Sequence, residues 1–185
     1  MAPDNTLVIG TVGLAFLDLA DKRISGLDSV ENNFSVNQVY CDSRGLIWIA
    51  ALEGLKMYDR KRGVLNDFSQ ITGEEVTMIS GITEDLEHNL WISSTRQMIH
   101  LKVSQTQDGE YVFDSHIYND KDGLQNCDFN LRSIKTLDNG MVVAGGLYGL
   151  NLFNPDKIHY NRILPKVLLA CLLYTSPSPR DISGS

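Results

Sequence analysis

Three stretches of the chain repeat one pattern and superpose without a gap. They are residues 45–59, 88–102 and 140–154. Trp48, Trp91 and Val143 occupy one column of this alignment, and a fourth copy at residues 8–18 places Val8 there when one turn residue is deleted. A repeated unit of this size cannot bury its apolar face alone, so neighbouring copies must stack against each other. The chain is therefore an array of repeats.

The spacing of these anchors indicates which kind of array the chain forms. Successive anchors are 40, 43 and 52 residues apart. Repeats of about 40 to 50 residues with a Trp-bearing strand, a glycine turn and a second strand are typical of β-propeller blades. Helical repeats would carry apolar residues three or four positions apart, and no such pattern is sustained. The spacing predicts an all-β fold, a partial β-propeller of about four four-stranded antiparallel blades that is incomplete at both ends.

One copy shows how the residues form a blade. Residues 37–41 alternate as in a strand, residues 42–45 form a polar turn, and residues 46–50 are apolar throughout, as expected for a strand covered on both faces. Gly54 turns the chain, because glycine tolerates a positive φ, and a third strand follows over residues 55–59. The other copies divide in the same way, with strands predicted at residues 81–84, 90–94, 98–102, 133–137, 141–145 and 150–154.

Charge and residue spacing exclude several classes of function. A formal net charge of −7 argues against a nucleic-acid partner, because phosphate binding needs clustered lysine and arginine. The four histidines and three cysteines show no metal-ligand spacing, so we expect no metal, no cofactor and no catalytic residue. Acidic turns near Asp85 and Asp120 have ligands suited to calcium, although hydrogen bonding to the turn backbone is the favoured explanation.

Trp48 and Trp91 lie within apolar runs, so packing between blades is favoured over stacking on a ligand.

The residues from Asp42 to Asp59 resemble a named repeat. The pattern Asp, Gly, Trp-Ile-Ala, then Gly-Leu and Tyr-Asp is similar to the two-component regulator propeller repeat. Residues 122–132 (DGLQNCDFNLR) and 149–156 (GLNLFNPD) resemble the last blade of such a propeller. Gln97 and Met98 depart from the usual Gly-Leu, and Val143 replaces the tryptophan.

This resemblance implies a function. Such repeats form the periplasmic sensor region of hybrid histidine kinases, many of which respond to oligosaccharides. It implies that the chain senses a small carbohydrate ligand, catalyses nothing itself and relays a signal to a kinase outside residues 1–185. It also implies a homodimer in the full-length protein and contact with a membrane only through a downstream segment. Residues 1–5 contain no charged-then-apolar leader of a signal peptide.

The resemblance also divides the chain. Residues 1–164 are expected to form the partial propeller. Residues 165–170 resemble the first strand of the β-sandwich that follows it in the family, which would be truncated here. Residues 171–185 are expected to be a non-native tail, because residues 171–181 (CLLYTSPSPRD) resemble a translated sequencing adaptor. The alternative for the tail is a Ser/Pro-rich linker.

The connection between Lys102 and Ser133 is about a dozen residues longer than its equivalents, and long connections on a rigid scaffold often carry binding groups. In a propeller, the connection into the inner strand and the turn between the second and third strands open on one side around the axis. This geometry predicts eight ligand-binding residues, whose amides, guanidinium groups and aromatic ring suit a sugar. They are Asn37, Glu53, Arg96, Gln125, Asn126, Asn130, Arg132 and Tyr148.

Other roles stay open from the sequence. The eight residues could instead stabilise turns. A propeller enzyme, such as a polysaccharide or lactone lyase, would place catalytic groups at the central channel. A scaffold propeller would bind only proteins. Ligand identity, total blade number and output domain do not follow from these residues.

Overall fold

The computed structural model describes residues 6–27, 33–68, 70–71 and 74–158. In these ranges sixteen strands form four antiparallel sheets and one two-stranded hairpin. Sheet 1 contains β1 (Thr6–Thr11), β2 (Gly13–Asp18) and β3 (Arg23–Gly26). Sheet 2 contains β4 (Val36–Cys41), β5 (Ile47–Ala51), β6 (Gly54–Asp59) and β7 (Val64–Asp67). The hairpin is formed by β8 (Gln70–Ile71) and β9 (Glu74–Glu75).

The second half of the chain forms two further sheets. Sheet 3 contains β10 (Gly81–Glu84), β11 (Leu90–Ser94), β12 (Gln97–Gln105) and β13 (Tyr111–Tyr118). Sheet 4 contains β14 (Phe129–Thr136), β15 (Val142–Gly146) and β16 (Gly149–Phe153). Two short 3₁₀ helices, Asp120–Asp122 and Pro155–Lys157, follow β13 and β16. Strands within each sheet pair in chain order, so every sheet is a meander. The predicted all-β partial propeller is confirmed.

The turn between the first two strands of a blade is built on an aspartate. Asp42 Oδ1 accepts hydrogen bonds from the backbone N–H groups of Arg44 and Leu46 at 3.0 and 2.9 Å. Its Oδ2 accepts from Trp48 Nε1 at 3.0 Å. Asp85 in sheet 3 makes the same bonds, including one from Trp91 Nε1 at 2.9 Å. The prediction that turn aspartates bond to the backbone is confirmed for these two, and each carboxylate also satisfies a buried indole.

The inner strands of sheets 2, 3 and 4 lie side by side around the axis. Gln38 of β4 forms a two-way amide bridge to Ile82 of β10, donating to its carbonyl at 3.1 Å and accepting from its N–H at 2.8 Å. Thr83 and Thr136 join β10 to β14, with their hydroxyl oxygens 3.1 Å apart. The sheets are thus joined near the axis by polar contacts as well as by packing.

The cores lie between neighbouring sheets. Trp48 is fully buried, and it packs with residues of sheets 2 and 3 such as Leu55 and Ile82. Trp91 is 1% exposed and lies in the cluster between sheets 3 and 4, where its ring is 4.7 Å from that of Phe153. Both tryptophans therefore pack between blades, as predicted. Burying an aromatic side chain of this size dominates the packing energy of each interface.

The cysteines and the chain ends complete the description. Cys41 and Cys127 are free thiols. The predicted sandwich strand at residues 165–170 and the predicted tail at residues 171–185 lie outside the described residues.

Candidate ligand-binding site

The loops predicted to form a ligand face do meet at one end of the sheets. The N–H of Leu52, in the turn between β5 and β6, donates to the carbonyl of Ser35 just before β4 at 3.0 Å. In sheet 4 the N–H of Leu147 donates to the carbonyl of Asp128, just before β14, at 3.2 Å. Each second turn is therefore tied to the entry of the inner strand of its own sheet. We call this end the axial face.

Asn37 and Arg132 connect the sheets across the axial face. Arg132 Nε donates to the backbone carbonyl of Asn37 at 2.6 Å, and its own N–H donates to the carbonyl of Ser80 at 2.8 Å. The Asn37 amide donates to the carbonyl of Ile79 at 2.8 Å. Both side chains thus hold inner strands of different sheets together. Arg132 is still exposed, so the rest of its guanidinium group faces solvent.

Glu53 and Arg96 occupy the turns between second and third strands. Both Glu53 carboxylate oxygens accept from the N–H of Ser35, at 3.2 and 3.0 Å. Arg96 Nε lies 3.7 Å from the carboxylate of Asp128. In sheets 2 and 4 the positive φ of this turn falls on a glycine, Gly54 or Gly149. In sheet 3 the aligned residue is Gln97, and the positive φ of 56° falls one residue earlier, on Arg96. These contacts are exposed, and exposed ion pairs of this kind stabilise a fold only weakly.

Gln125 is the candidate with unsatisfied hydrogen-bonding groups. Its side-chain Nε2 and Oε1 are buried and have no hydrogen-bond partner among the described residues. The amide lies against Gly146, where an added Cβ would come within 2.2 Å of Nε2. Burying an amide without partners costs about 1–3 kcal/mol, so a water molecule or ligand hydroxyl at this position would be favourable.

The remaining candidates lie at the surface. Asn126 and Asn130 are exposed at either side of the entry into β14, and Tyr148 is 88% exposed in the turn between β15 and β16. An aromatic ring with that exposure is available for stacking. The structure therefore brings together Asn37, Ser80 and Arg132. Tyr148 lies in the turn whose Leu147 N–H donates to Asp128.

Sequence reasoning missed a cleft between sheets 3 and 4. The cleft has a volume of about 230 Å³, and its walls include Tyr118, Asp122, Leu124, Asn151 and Phe153. Part of the long connection after β13 forms one wall of the cleft. The unusual length of that connection is therefore the one sequence feature that indicates a site in this region. The individual residues could not be found, because they come from strands that only the packing of two blades brings together.

Among the described residues, His100 has the largest pKa shift. Burial lowers its pKa from 6.5 to about 4, against the opposing effect of the Asp85 carboxylate. Its ring stacks on Trp91 with centroids 4.3 Å apart, and its Nε2 lies 3.9 Å from Asp85 Oδ2. His100 therefore packs against Trp91, which lies in the cluster between sheets 3 and 4. With a pKa of about 4, its ring is neutral at pH 7.

Comparison with known proteins identifies relatives. No protein-family model matches the chain. It is 29% identical over 100 residues to histidine kinase P4 of Formosa agariphila, a match that covers 54% of this chain and 7% of that kinase. Its fold is similar to the extracellular domain of the hybrid two-component system BT3049 of B. thetaiotaomicron, with a TM-score of 0.66 and 22% identity over 84% of this chain and 21% of that domain. It also resembles virginiamycin B lyase of Staphylococcus aureus, with a TM-score of 0.55, 13% identity, and coverage of 83% and 53%.

These relatives agree with the resemblance drawn from the repeats. Histidine kinase P4 is similar in sequence, and an extracellular domain of a hybrid two-component system is similar in fold. The chain thus resembles the sensor propellers of two-component systems in both sequence and fold. It spans 7% of the kinase and 21% of the extracellular domain. No helix among the described residues is long and apolar enough to span a membrane.

Proposed function

We propose that this chain is the ligand-sensing part of a periplasmic two-component sensor propeller and that it recognises an oligosaccharide. Its role is binding, and the signal passes to a histidine kinase beyond residues 1–185. In the full-length protein the sensor acts as a homodimer and reaches the membrane through a downstream segment. The sequence relative and the extracellular fold neighbour support this assignment.

The observation that carries the proposal is the bridge from Arg132 to Asn37 across the axial face. Arg132 lies on β14 and Asn37 on β4, so this 2.6 Å hydrogen bond joins sheets 2 and 4. A ligand that binds the exposed part of the guanidinium group would contact a residue whose other bond sets the spacing of the sheets. Binding would then change how the blades lie relative to each other, which is what a sensor needs to transmit.

The chemistry at this face suits a neutral polyhydroxylated ligand. Exposed amides at Asn126 and Asn130 provide donors and acceptors, and Tyr148 provides an apolar ring face. The carboxylates of Glu53 and Asp128 are already paired with a backbone N–H and with Arg96. Such a mixture of aromatic and amide groups fits sugar rings, which present one apolar face and several hydroxyls.

Titration calorimetry with oligosaccharides of different linkage tests the proposal. A neutral oligosaccharide should bind, and Tyr148→Ala should weaken binding about 5- to 30-fold, since an exposed stacking ring contributes about 1–2 kcal/mol. Gln107→Ala, at the exposed turn between β12 and β13, is the control and should leave affinity unchanged. Absence of heat with every saccharide would overturn the proposal, and steady consumption of a saccharide would indicate an enzyme instead.

A further inference from the structure

The cleft between sheets 3 and 4 has the walls of a small binding pocket. Tyr118 and Phe153 line it from the two sheets, and Trp91 forms part of its floor. The Trp91 ring is 5.8 Å from that of Tyr118 and 4.7 Å from that of Phe153, so Trp91 supports both rings from beneath the cleft. Tyr118 and Phe153 are only half-buried. Their exposed parts are available to one face of a ring.

Polar groups lie on one side of this aromatic surface. Asn151 Oδ1 accepts from the N–H of Gln125 at 3.3 Å, which leaves the Asn151 Nδ2 group for a ligand. Asp122 is exposed, and its Oδ2 accepts from the N–H of Asn119 at 2.9 Å, which leaves Oδ1. The unpartnered amide of Gln125 is the next side chain after Leu124, which also lines the cleft. One amide donor and one carboxylate acceptor therefore border an aromatic floor.

The equivalent cleft between sheets 2 and 3 is built differently. It has a volume of about 170 Å³, and its rim carries an ion pair between Arg62 and Glu110 with a distance of 2.9 Å. Phe68 and Phe113 pack edge to face within it, 4.8 Å apart, so the rings contact each other. The cleft between sheets 3 and 4 differs because the connection after β13 adds Asp122 and Leu124 to its wall.

We propose that the cleft between sheets 3 and 4 binds one neutral pyranose ring, stacked on Tyr118 and Phe153 and hydrogen-bonded by Asn151 and Asp122. The volume is below the roughly 300 Å³ at which ordinary ligand pockets begin, so it suits a single ring. The Asp122 carboxylate accepts from sugar hydroxyls and repels a uronate or a sulfated sugar. This inference rests on the proposed function and adds a subsite in the cleft between sheets 3 and 4.

Fluorine NMR on the complete 185-residue chain labelled with 5-fluorotryptophan tests this subsite. The chain contains two tryptophans, and only Trp91 lines the cleft. The methyl glycosides of glucose, galactose, mannose and xylose serve as neutral probes, and glucuronic acid serves as the anionic comparison. We expect at least one neutral glycoside to shift the Trp91 resonance and to leave that of Trp48 unchanged. Glucuronic acid should shift neither.

Two variants assign the shift to the polar groups. Asn151→Asp keeps the acceptor for the Gln125 N–H and removes the Nδ2 donor, so neutral binding should weaken about 3- to 10-fold, as expected for one hydrogen bond. Asp122→Asn should allow glucuronic acid to bind. Asp156→Asn is the matched control, because Asp156 is an exposed acid in the other 3₁₀ helix and does not line the cleft.

The possible outcomes separate the subsite from the general function. If oligosaccharides release heat in calorimetry while the Trp91 resonance stays fixed, the subsite is wrong and the proposed function stands. Equal shifts of both tryptophan resonances, or unchanged affinity in Asn151→Asp, would also overturn the subsite. If no saccharide gives heat or a shift, the proposed function fails together with it.

Discussion

Sheets 3 and 4 share one alignment but are stabilised in different ways. In sheet 3 Asp85 is 6% exposed, and its carboxylate accepts a hydrogen bond from Trp91, six residues later. In sheet 4 the same two columns hold Leu137 and Val143. The backbone bond that closes the turn is kept, because the N–H of Leu137 donates to the carbonyl of Met141 at 2.8 Å, as Asp85 does to Asn89.

The aspartate and the tryptophan therefore form one unit. A buried carboxylate without its indole donor would be costly, and so would a buried indole without an acceptor. Sheet 4 replaces both residues with apolar ones, and the turn survives on its backbone bond. Sheet 2 keeps the pair, with Asp42 and Trp48, and adds Arg44, whose Nη1 lies 3.2 Å from Asp42.

The largest expected loss of stability comes from replacing the tryptophan of sheet 2 with valine, the residue that sheet 4 has at the same position. Trp48→Val removes a fully buried indole and leaves Asp42 without that donor, so unfolding free energy should fall by about 3–5 kcal/mol. Val143→Ala, at the half-buried equivalent, should cost about 1 kcal/mol. Urea denaturation followed by circular dichroism measures both. Equal losses of unfolding free energy would show that this alignment position contributes equally to stability in both sheets.

The turn aspartates of sheets 2 and 3 should differ in how much stability is lost when each is replaced, and this difference is smaller than the effect above. Asp42→Asn and Asp85→Asn both remove an acceptor for the indole N–H, but only Asp42 also pairs with an arginine. We expect Asp42→Asn to cost about 2–3 kcal/mol and Asp85→Asn about 1 kcal/mol less. Urea midpoints at neutral pH measure the difference. Arg44 also donates to the carbonyls of His88 and Val103, so the pair is tested with the two single variants and the combination of Asp42→Asn with Arg44→Met. The coupling energy of this cycle should account for the larger loss in sheet 2, and zero coupling would contradict the explanation.

Acid pH should distinguish sheet 3 from sheet 2, because His100 occupies the column of Met57. The folded protein protonates His100 only near pH 4, whereas the unfolded chain does so near 6.5, so the unfolded state binds more protons in between. This contribution is full above about pH 6.5 and is lost as pH falls toward 4. After screening, the loss should be about 1–2 kcal/mol. His100→Met should flatten the stability profile over this range, and an unchanged profile would assign the acid sensitivity to carboxylates.

The smallest effect on stability should come from the outer faces of the end sheets. Leu150 and Leu152 of sheet 4 are 64% and 53% exposed, as Ile24 of sheet 1 is 70% exposed. Replacing Leu150 and Leu152 with lysine should change the free energy of unfolding by less than about 0.5 kcal/mol each. It should nevertheless reduce self-association in analytical ultracentrifugation, because exposed apolar patches promote contacts between molecules. Persistent association of the double variant would indicate that another face is responsible.

The blade pattern was predictable because it depends on local spacing. The strands β10 and β11 begin and end where the repeat alignment places them, and Gly54 has the positive φ expected of a turn glycine. The extra residues of the third repeat were less predictable. Part of them lengthens the hairpin of β12 and β13, whose pairing extends from Met98 to Gln105. The remainder forms the connection that reaches the cleft.

The contacts in the candidate site, like the long connection, could not be predicted from local spacing. Propeller geometry correctly places Asn37 and Arg132 at one end, but the 2.6 Å bond between them joins residues 95 positions apart. Their pairing depends on how three inner strands converge, and the sequence spacing of a single blade contains no information about that. The burial of the Gln125 amide against Gly146 likewise depends on the course of a connection with no repeat equivalent.

Local sequence is enough to specify the blade, because turn residues, alternating polarity and the Asp-to-Trp spacing act over a few residues. It is also enough to assign both tryptophans to the core, since an indole inside an apolar run must be buried. The places where blades meet, the polar partners of Arg132 and Asn151, and the cleft between sheets 3 and 4 emerge only when the sheets pack. Those features depend on the distance between separate sheets, which is set by the combined packing of many side chains.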